Sequence, residues 1–292
     1  MTNDIHIPVL LNEVIEGLDL KENDQVLDGT LGFGGHSQHI LNHLETGHLY
    51  GFDQDIVAID YCKNKFEKEN KVSLFHANYS ETLDALPTNV TLTKVLLDLG
   101  FSSFQLDKAE RGFSHQQDQN LDMRMNTSKG QTAIDILNAY SREKLSDMFY
   151  TLGDLTHNKN LVENILFKRR KQKISTSFEL VELIKQSYNF QSKRSAYMKV
   201  CAQVFQALRI EVNQEFDHLK KFLETIGSRL APGGRLAIIS FHSGEDRLVK
   251  HKLRDLKDTF KKINKHVIVA TQDEIRQNSR SKSAKLRLVE RL

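Results

Sequence analysis

The sequence predicts an α/β fold in which a parallel sheet with flanking helices is interrupted by a helical insertion. In the first hundred residues, short apolar runs alternate with helical patterns, as they do in βαβ units. From about residue 107 to residue 205, strand patterns are absent and helical patterns follow one another. The alternation of strands and helices then returns. We therefore assign residues 1–106 and 206–292 to a sheet domain and residues 107–205 to the insertion.

Each strand is predicted from a short apolar run between turn residues, and each helix from apolar residues three or four positions apart. Residues 231–234, Ala-Pro-Gly-Gly, predict a turn before the strand that follows. The predicted strands cover residues 25–28, 48–53, 72–75, 94–99, 235–240, 267–269 and 286–289. The predicted helices cover residues 36–44, 56–66, 134–140, 143–150, 160–168, 178–186, 212–230 and 245–256.

Composition excludes several classes of protein. With 15 Gly and 3 Pro in 292 residues, the chain is neither collagen-like nor of low complexity. Apolar runs are much shorter than the ~20 residues of a membrane-spanning helix, so we expect no membrane segment. We also expect no signal peptide, because no basic segment followed by an apolar one begins the chain. Cys62 and Cys201 lack C-x-x-C spacing, which argues against disulfides and a metal site and predicts a cytoplasmic protein.

Charge is distributed unevenly along the chain. Residues 151–292 hold 29 Lys and Arg against 15 Asp and Glu, whereas residues 1–150 hold 12 against 23. A basic half favours a polyanionic partner such as nucleic acid, and a solvated basic face is the alternative. Residues 168–173 carry five cations in six positions. This run predicts contacts with RNA phosphates or, alternatively, the solvated end of a helix.

A glycine-rich segment, residues 28–36 (Asp-Gly-Thr-Leu-Gly-Phe-Gly-Gly-His), lies between the first predicted strand and the first predicted helix. Glycine there lets the backbone approach a ligand closely. Asp53 ends the next strand, where an acid can accept hydrogen bonds from both ribose hydroxyls. Ser37 replaces the third glycine of a dinucleotide fingerprint, so the loop suits adenosine without phosphates, as in S-adenosylmethionine. A tight turn beside a solvated carboxylate is the alternative interpretation.

A third acid, Asp98, comes at the end of another predicted strand. In open α/β sheets the ligand crevice lies beyond the carboxyl ends of the strands. Asp28, Asp53 and Asp98 are therefore expected to face one crevice. A single acid at a strand end commonly caps a loop, whereas three at one sheet edge favour a binding site.

Several segments together resemble the bacterial ribosomal RNA small-subunit methyltransferase H family, also called the MraW family. The glycine loop and the Pro-Gly-Gly turn are general to methyltransferases, whereas Leu-Asp-Met-Arg-Met and Ser-Phe-His-Ser are far more specific. The resemblance extends from about residue 6 to residue 291. The segments that carry it are residues 28–36, 96–105, 111–114, 121–125, 230–247 and 283–287.

The resemblance implies a class I, Rossmann-like methyltransferase sheet of seven strands, with the helical insertion as a substrate-recognition domain. It implies that S-adenosylmethionine donates a methyl group to the exocyclic N4 of a cytidine in the decoding region of small-subunit (16S) ribosomal RNA. The partner would be that RNA or the assembled small ribosomal subunit. The family's cofactor contacts fall on Gly34, Gly35, His36, Asp53, Tyr79, Asp98 and Gln105.

Two residues depart from the family pattern at informative places. Tyr79 stands where Phe is usual, which keeps an aromatic face, and Gly244 stands where Leu is frequent. Glycine inside a helix is costly, so Gly244 predicts a looser start of the helix at residues 245–256.

A hydrogen-bond acceptor on the amino group would favour methylation of cytosine N4, and Asp98 and His242 are the two candidates. Asp98 alternatively holds the cofactor, and His242 is alternatively a structural residue. Residues 121–125 are either a lid over the cytidine or a packed loop closed by Asp122 and Arg124. Competing functions are a methyltransferase for DNA or another nucleobase, and a non-catalytic RNA-binding factor in ribosome assembly.

Overall fold

The chain forms two compact units in the computed structural model, which describes residues 8–100, 111–190 and 193–292. One unit combines Met1–Gly100 with Phe216–Leu292, and the other is Phe101–Glu215. The sequence predicts boundaries near residues 107 and 205. The helical unit extends to residue 215 because its last helix continues as far as Asn213.

The first unit contains a sheet to which the described residues contribute eight strands: β1 (Gln25–Asp28), β2 (His48–Asp53), β3 (Val72–His76), β4 (Leu92–Asp98), β5 (Leu230–Ser240), β6 (Phe260–Lys262), β7 (Ile268–Val269) and β8 (Lys285–Arg291). Their order is β3-β2-β1-β4-β5-β8-β6, and β7 also pairs with β8. The first five strands are parallel, whereas β8 is antiparallel to β5, β6 and β7. The two-residue strand β7 accounts for the difference from the seven strands that the resemblance implies.

The α-helices of the described residues fall into both units. In chain order they are α1 (Leu11–Leu18), α2 (Gly35–Leu41), α3 (Ile56–Lys65), α4 (Thr82–Ala85), α5 (Ala133–Ala139), α6 (Arg142–Gly153), α7 (Lys159–Lys171), α8 (Ser177–Ser187), α9 (Arg194–Asn213), α10 (Glu215–Thr225), α11 (Ser243–Asp255) and α12 (Gln272–Gln277). Helices α5 to α9 build the second unit. None of the helices in these ranges combines the length and the apolarity needed to cross a membrane.

Both faces of the sheet are buried, as parallel strands between helical layers require. Val26 and Leu96 belong to the apolar cluster on one face. Their neighbours Leu27 and Leu97 belong to the cluster on the other face. Because both faces of such strands are buried, they are continuous apolar runs in the sequence, and the sequence therefore predicts them well.

The predicted helix at residues 212–230 has the wrong bounds. Helix α9 ends at Asn213, and Gln214 takes a left-handed backbone with φ of 49°. Helix α10 begins at the next residue and ends at Thr225. Apolar residues keep a helical spacing on both sides of this break, so the periodicity does not reveal it.

The predicted turn at residues 231–234 is a bulge within β5. Leu230 pairs with Leu92 of β4, but the next paired residue of β5 is Arg235, opposite Lys94. Gly233 has a φ of 75°, which glycine adopts without strain. The extra residues therefore leave the ladder without ending the strand.

Candidate functional site

The loop between β1 and α2 turns through left-handed glycines. Gly32 and Gly34 have φ of 50° and 67°, a region that favours glycine. Among residues 8–100, 111–190 and 193–292, a Cβ atom on Gly32 would meet only the Thr30 carbonyl oxygen, at 3.9 Å. In this part of the chain the backbone at Gly32 is therefore uncrowded, and a ligand can approach it closely.

Gly34 and Gly35 serve the packing of this loop. A Cβ atom on Gly34 would lie 2.8 Å from the ring of Phe66, which follows α3. A Cβ atom on Gly35 would lie 2.9 Å from Cγ of Pro8. Both distances are shorter than real contacts, so packing alone requires glycine at the two positions to which the resemblance assigns cofactor contacts.

Asp53, at the end of β2, holds the same loop. Its Oδ2 accepts a hydrogen bond of 2.8 Å from the Gly32 N–H, and its Oδ1 accepts one of 2.8 Å from the Asp55 N–H. Burial raises the pKa of Asp53 to about 6, although these two hydrogen bonds oppose the shift. The side chain is partly exposed, and each oxygen keeps a second lone pair. Asp53 can therefore support the loop and still accept a hydrogen bond from a ligand.

Asp28 differs from the other two acids because it faces inward. The residue is 1% exposed, and its carboxylate accepts hydrogen bonds from Ser37 Oγ at 2.6 Å and from the Thr30 N–H at 3.2 Å. Asp28 thus ties the loop to α2. Sequence reasoning missed this role of Ser37, whose only signal is a hydroxyl at the place of the third fingerprint glycine.

Asp98 ends β4, between β1 and β5, and its N–H donates a 2.6 Å hydrogen bond to Thr30 Oγ1. Its Oδ2 lies 3.7 Å from Nδ1 of the buried His36. The other ring nitrogen of His36 lies 3.0 Å from the Val9 carbonyl oxygen. Because a carbonyl oxygen only accepts, Nε2 carries a proton, and Nδ1 is the ring nitrogen that faces Asp98.

The carboxyl of Asp98 is set up to take a proton near neutral pH. Burial, together with the carboxylates of Asp28 and Glu245, raises the pKa of Asp98 to about 8. Its Oδ1 has no hydrogen-bond partner among residues 8–100, 111–190 and 193–292. Perturbed acids of this kind are frequent at catalytic sites.

His242, the other candidate acceptor, caps α11. Its Nδ1 accepts a hydrogen bond from the Glu245 N–H at 3.3 Å, and Glu245 Oε2 accepts hydrogen bonds from the N–H groups of Phe241 and His242 at 2.8 and 3.3 Å. This reciprocal arrangement is a capping box. One ring nitrogen of His242 is therefore already engaged at the start of the helix.

Two of the cofactor contacts that the resemblance implies remain, Tyr79 and Gln105. Tyr79 follows β3, and its partly buried ring meets Phe222 edge to face, with the centroids 5.4 Å apart. Gln105 lies outside the described residues.

Residues 121–125 form a packed loop in the second unit. Leu121, Met123 and Met125 are buried in its core. Asp122 and Arg124 form a two-pronged ion pair with distances of 2.8 Å. Because the apolar side chains already fill the core of their own unit, the packed-loop interpretation fits the structure and the lid interpretation does not.

The basic run of residues 168–173 spans the last turn of α7. Arg169 donates hydrogen bonds to the carbonyl oxygens of Leu137 and Tyr140 at the end of α5, so it supports the fold. Lys171 lies 4.2 Å from the ring centroid of Phe167, which is 60% exposed. This exposed ring beside a cation is a feature that sequence reasoning overlooked, although both residues face one side of α7.

Comparisons with known proteins identify the family of this chain. A profile of the MraW methylase family matches residues 3–292. The ribosomal RNA small subunit methyltransferase H of Phocaeicola vulgatus is 38% identical, over 98% of this chain and 97% of that protein. The protein of the same name from Acaryochloris marina is 40% identical, over 98% of this chain and 94% of that protein.

The fold is also similar to that of a solved protein. A solved protein of Clostridium thermocellum, described as an rRNA methylase, superimposes with a TM-score of 0.50 and 13% identity, over 99% of this chain and 100% of that one. The sheet is thus the class I, Rossmann-like methyltransferase sheet. From the profile match over nearly its whole length, this chain belongs to the MraW methylase family.

Proposed function

We propose that this protein transfers a methyl group from S-adenosylmethionine to the exocyclic N4 of a cytidine in the decoding region of small-subunit (16S) ribosomal RNA. The observation that carries the proposal is Asp98, a carboxyl with a raised pKa and an unpartnered Oδ1 among the described residues, beside the glycine loop. The names of the family relatives support ribosomal RNA as the substrate. Such a substrate implies a cytoplasmic enzyme.

The residues around Gly32 fit S-adenosylmethionine. The open space at this left-handed glycine admits an adenosine, and the Asp53 carboxylate beside it can accept hydrogen bonds from the ribose hydroxyls. When bound, the sulfonium supplies an electrophilic methyl group. The protein's main contribution is then to align the cytosine nitrogen with that group.

Asp98 acts on the cytosine amino group. The lone pair of N4 is delocalised into the ring, so a hydrogen bond from the amino group to the Asp98 carboxylate favours its rehybridisation. As the nitrogen–carbon bond forms, N4 loses a proton, and the Asp98 carboxylate takes it. His36 lies beside that carboxyl, with Nδ1 3.7 Å from Oδ2, and its Nε2 contacts the Val9 carbonyl oxygen.

Direct attack by N4 requires no thiol, unlike methylation of ring carbon 5. Cys62 is buried, with its Sγ 3.3 Å from the Gly32 carbonyl oxygen, and burial raises its pKa to about 12. Burial also raises the pKa of Cys201. Neither thiol forms a nucleophilic thiolate near neutral pH.

We expect the double variant Cys62→Ser, Cys201→Ser to keep its methyl-transfer activity, because the mechanism uses neither sulfur. The measurement is radiolabelled methyl transfer to RNA, followed by mass spectrometry of the nucleosides, which should show N4-methylcytidine. A product of 5-methylcytidine, or an inactive variant that is folded by circular dichroism, would contradict the mechanism.

The same transfer assay separates the competing functions. Isolated small subunits, naked ribosomal RNA and DNA are offered in parallel to the wild-type protein. Methylation of cytidine in either RNA substrate supports the proposal, whereas labelling of DNA alone indicates a DNA methyltransferase. RNA binding without transfer to any substrate indicates a non-catalytic assembly factor.

We further propose that the helical unit binds RNA through the cations of its basic run other than Arg169. Replacing Lys168, Arg170, Lys171 and Lys173 with Gln, while leaving Arg169 to hold α5, should weaken RNA binding and spare cofactor binding. The salt dependence of RNA affinity should become shallower by up to about 0.7 in log–log slope per lost contact. An unchanged slope would support the solvated helix end instead.

A further inference from the structure

A further concave feature lies in the sheet unit, at the edge where the parallel strands end. It is a cavity of about 260 Å³ between the end of β5, the start of α11 and the start of β8. Lys282, Lys285, Ser243 and Ser283 supply polar lining, and Phe241 supplies an aromatic wall. We refer to it as the lysine cavity.

The charge around the lysine cavity is cationic. Lys282 is exposed, and Lys285 Nζ lies 3.3 Å from Asp246 Oδ2. Asp246 also accepts a 2.8 Å hydrogen bond from Arg287 Nε, so its single negative charge is shared between two cations. Ser243, the first residue of the 13-residue helix α11, lines the same cavity.

The strand register relates this cavity to Asp98. In β4 and β5, Asp98 pairs with Ile239, which in turn pairs with Leu286 of β8. The next rung pairs Ser240 with Lys285. Strands are about 4.8 Å apart, so Lys285 stands roughly 10 Å across the sheet from Asp98. The glycine loop and Asp53 lie on the opposite side of Asp98, after β1 and β2.

We propose that the lysine cavity binds a phosphodiester group of the RNA strand that carries the target cytidine. This inference rests on the proposed function, because it places the base at Asp98 and the cofactor on the side of β1 and β2. The strand then leaves the site over β5 and β8. The lysines neutralise a backbone phosphate, and the hydroxyls of Ser243 and Ser283 can donate hydrogen bonds to its oxygens. The segment 216–292 as a whole holds 18 Lys and Arg against 9 Asp and Glu, which suits a polyanion.

The test compares two pairs of substitutions with the same change in charge. Lys282→Gln with Lys285→Gln removes the cavity cations, whereas Lys262→Gln with Lys265→Gln removes two exposed cations of the same unit that do not line the cavity. The probe is a fluorescent single-stranded RNA with the cytidine sequence of the decoding region. We expect the cavity pair to weaken RNA binding by roughly tenfold at low salt. The log–log salt slope should become shallower by about 1.4, and the control pair should leave the slope near the wild-type value.

Replacing Lys285 also removes its ion pair with Asp246, so a second variant tests the cavity without that change. Ser283→Asp puts a negative charge at an exposed cavity position without removing a cation, and it should weaken RNA binding while leaving affinity for S-adenosylhomocysteine unchanged. Equal slopes for the cavity and control pairs, with Ser283→Asp binding RNA as the wild type does, would overturn the inference. If the cavity pair loses binding of inorganic phosphate but not of RNA, the cavity is a free-phosphate site and the inference is wrong.

The test also separates the inference from the proposed function. If the wild-type protein methylates no RNA but its RNA affinity depends on the cavity lysines, the proposed function fails and the lysine cavity remains an RNA site. If it methylates cytidine N4 while the cavity variants bind RNA normally, the proposed function stands and the cavity inference fails.

Discussion

Replacing Asp98 with Asn should lower the rate of methyl transfer by about 10²–10⁴-fold, the usual contribution of a positioned acid or base. The amide has nearly the shape of the carboxyl, but it cannot take the proton that N4 loses. Its oxygen can still accept a hydrogen bond, but its N–H groups only donate. Methyl transfer to ribosomal RNA at saturating S-adenosylmethionine measures this loss, and affinity for S-adenosylhomocysteine shows whether cofactor binding is kept.

The stability of the same variant separates a catalytic role from a structural one. The pKa of Asp98 is about 8 in the folded protein against 3.8 for an ordinary aspartate, so between these values the folded state holds a proton that the unfolded chain has lost. Stability due to this group therefore falls as pH rises from about 4 to about 8. The amide introduced by Asp98→Asn does not titrate, so the variant should lose less stability than the wild type between pH 5 and pH 8.

The expected combination is thus a less active enzyme whose Tm at pH 8 equals or exceeds that of the wild type. Asp60→Asn, at an exposed position on α3, is the matched control and should change neither quantity. In the wild type, kcat/KM should rise with pH toward 8 as Asp98 ionises. A variant that transfers methyl groups at the wild-type rate would remove Asp98 from the mechanism. A large drop in Tm would indicate that the carboxyl is structural.

The sequence predicts the sheet well because its physical signal is local. Strands buried on both faces are continuous apolar runs, so β1, β2 and β4 are found within two residues of their observed ends. Helices α1, α4, α9 and α12 are absent from the prediction, and the helix predicted at residues 212–230 is observed with the shorter bounds Glu215–Thr225. Gln214 ends α9 through its backbone conformation, and no glycine or proline marks the position.

The residues that form the site can be predicted from the sequence, but the separate role of each residue cannot. The sequence places Asp28, Asp53 and Asp98 at strand ends, yet it treats them alike. Only the folded chain reveals that Asp28 is covered by Ser37 and that Asp98 keeps Oδ1 without a partner among the described residues. Likewise, the basic run looks uniform in sequence, although Arg169 points to the carbonyls of α5. Such differences depend on contacts between residues far apart in sequence, which periodicity and spacing do not encode.

The second large effect is expected at Asp53, where replacement by Ala should weaken binding of S-adenosylhomocysteine by roughly 10- to 150-fold. A hydrogen bond to a charged group contributes about 1.5–3 kcal/mol, which corresponds to that range. The variant also loses the acceptor for the Gly32 N–H, so the loop that borders the cofactor is less well held. Isothermal titration calorimetry measures the affinity, and circular dichroism checks the fold.

The fold of Asp53→Ala should survive because two effects oppose each other. The hydrogen bonds to the Gly32 and Asp55 N–H groups are lost, but a carboxyl whose pKa burial raises to about 6 is removed as well. Asp60→Ala provides the control, since it removes an exposed carboxylate of the neighbouring helix and should leave the affinity unchanged. If the folded Asp53→Ala protein binds S-adenosylhomocysteine as tightly as the wild type, the ribose does not contact Asp53. The acid would then serve only to shape the loop, and the cofactor would have to be held by the backbone around Gly32.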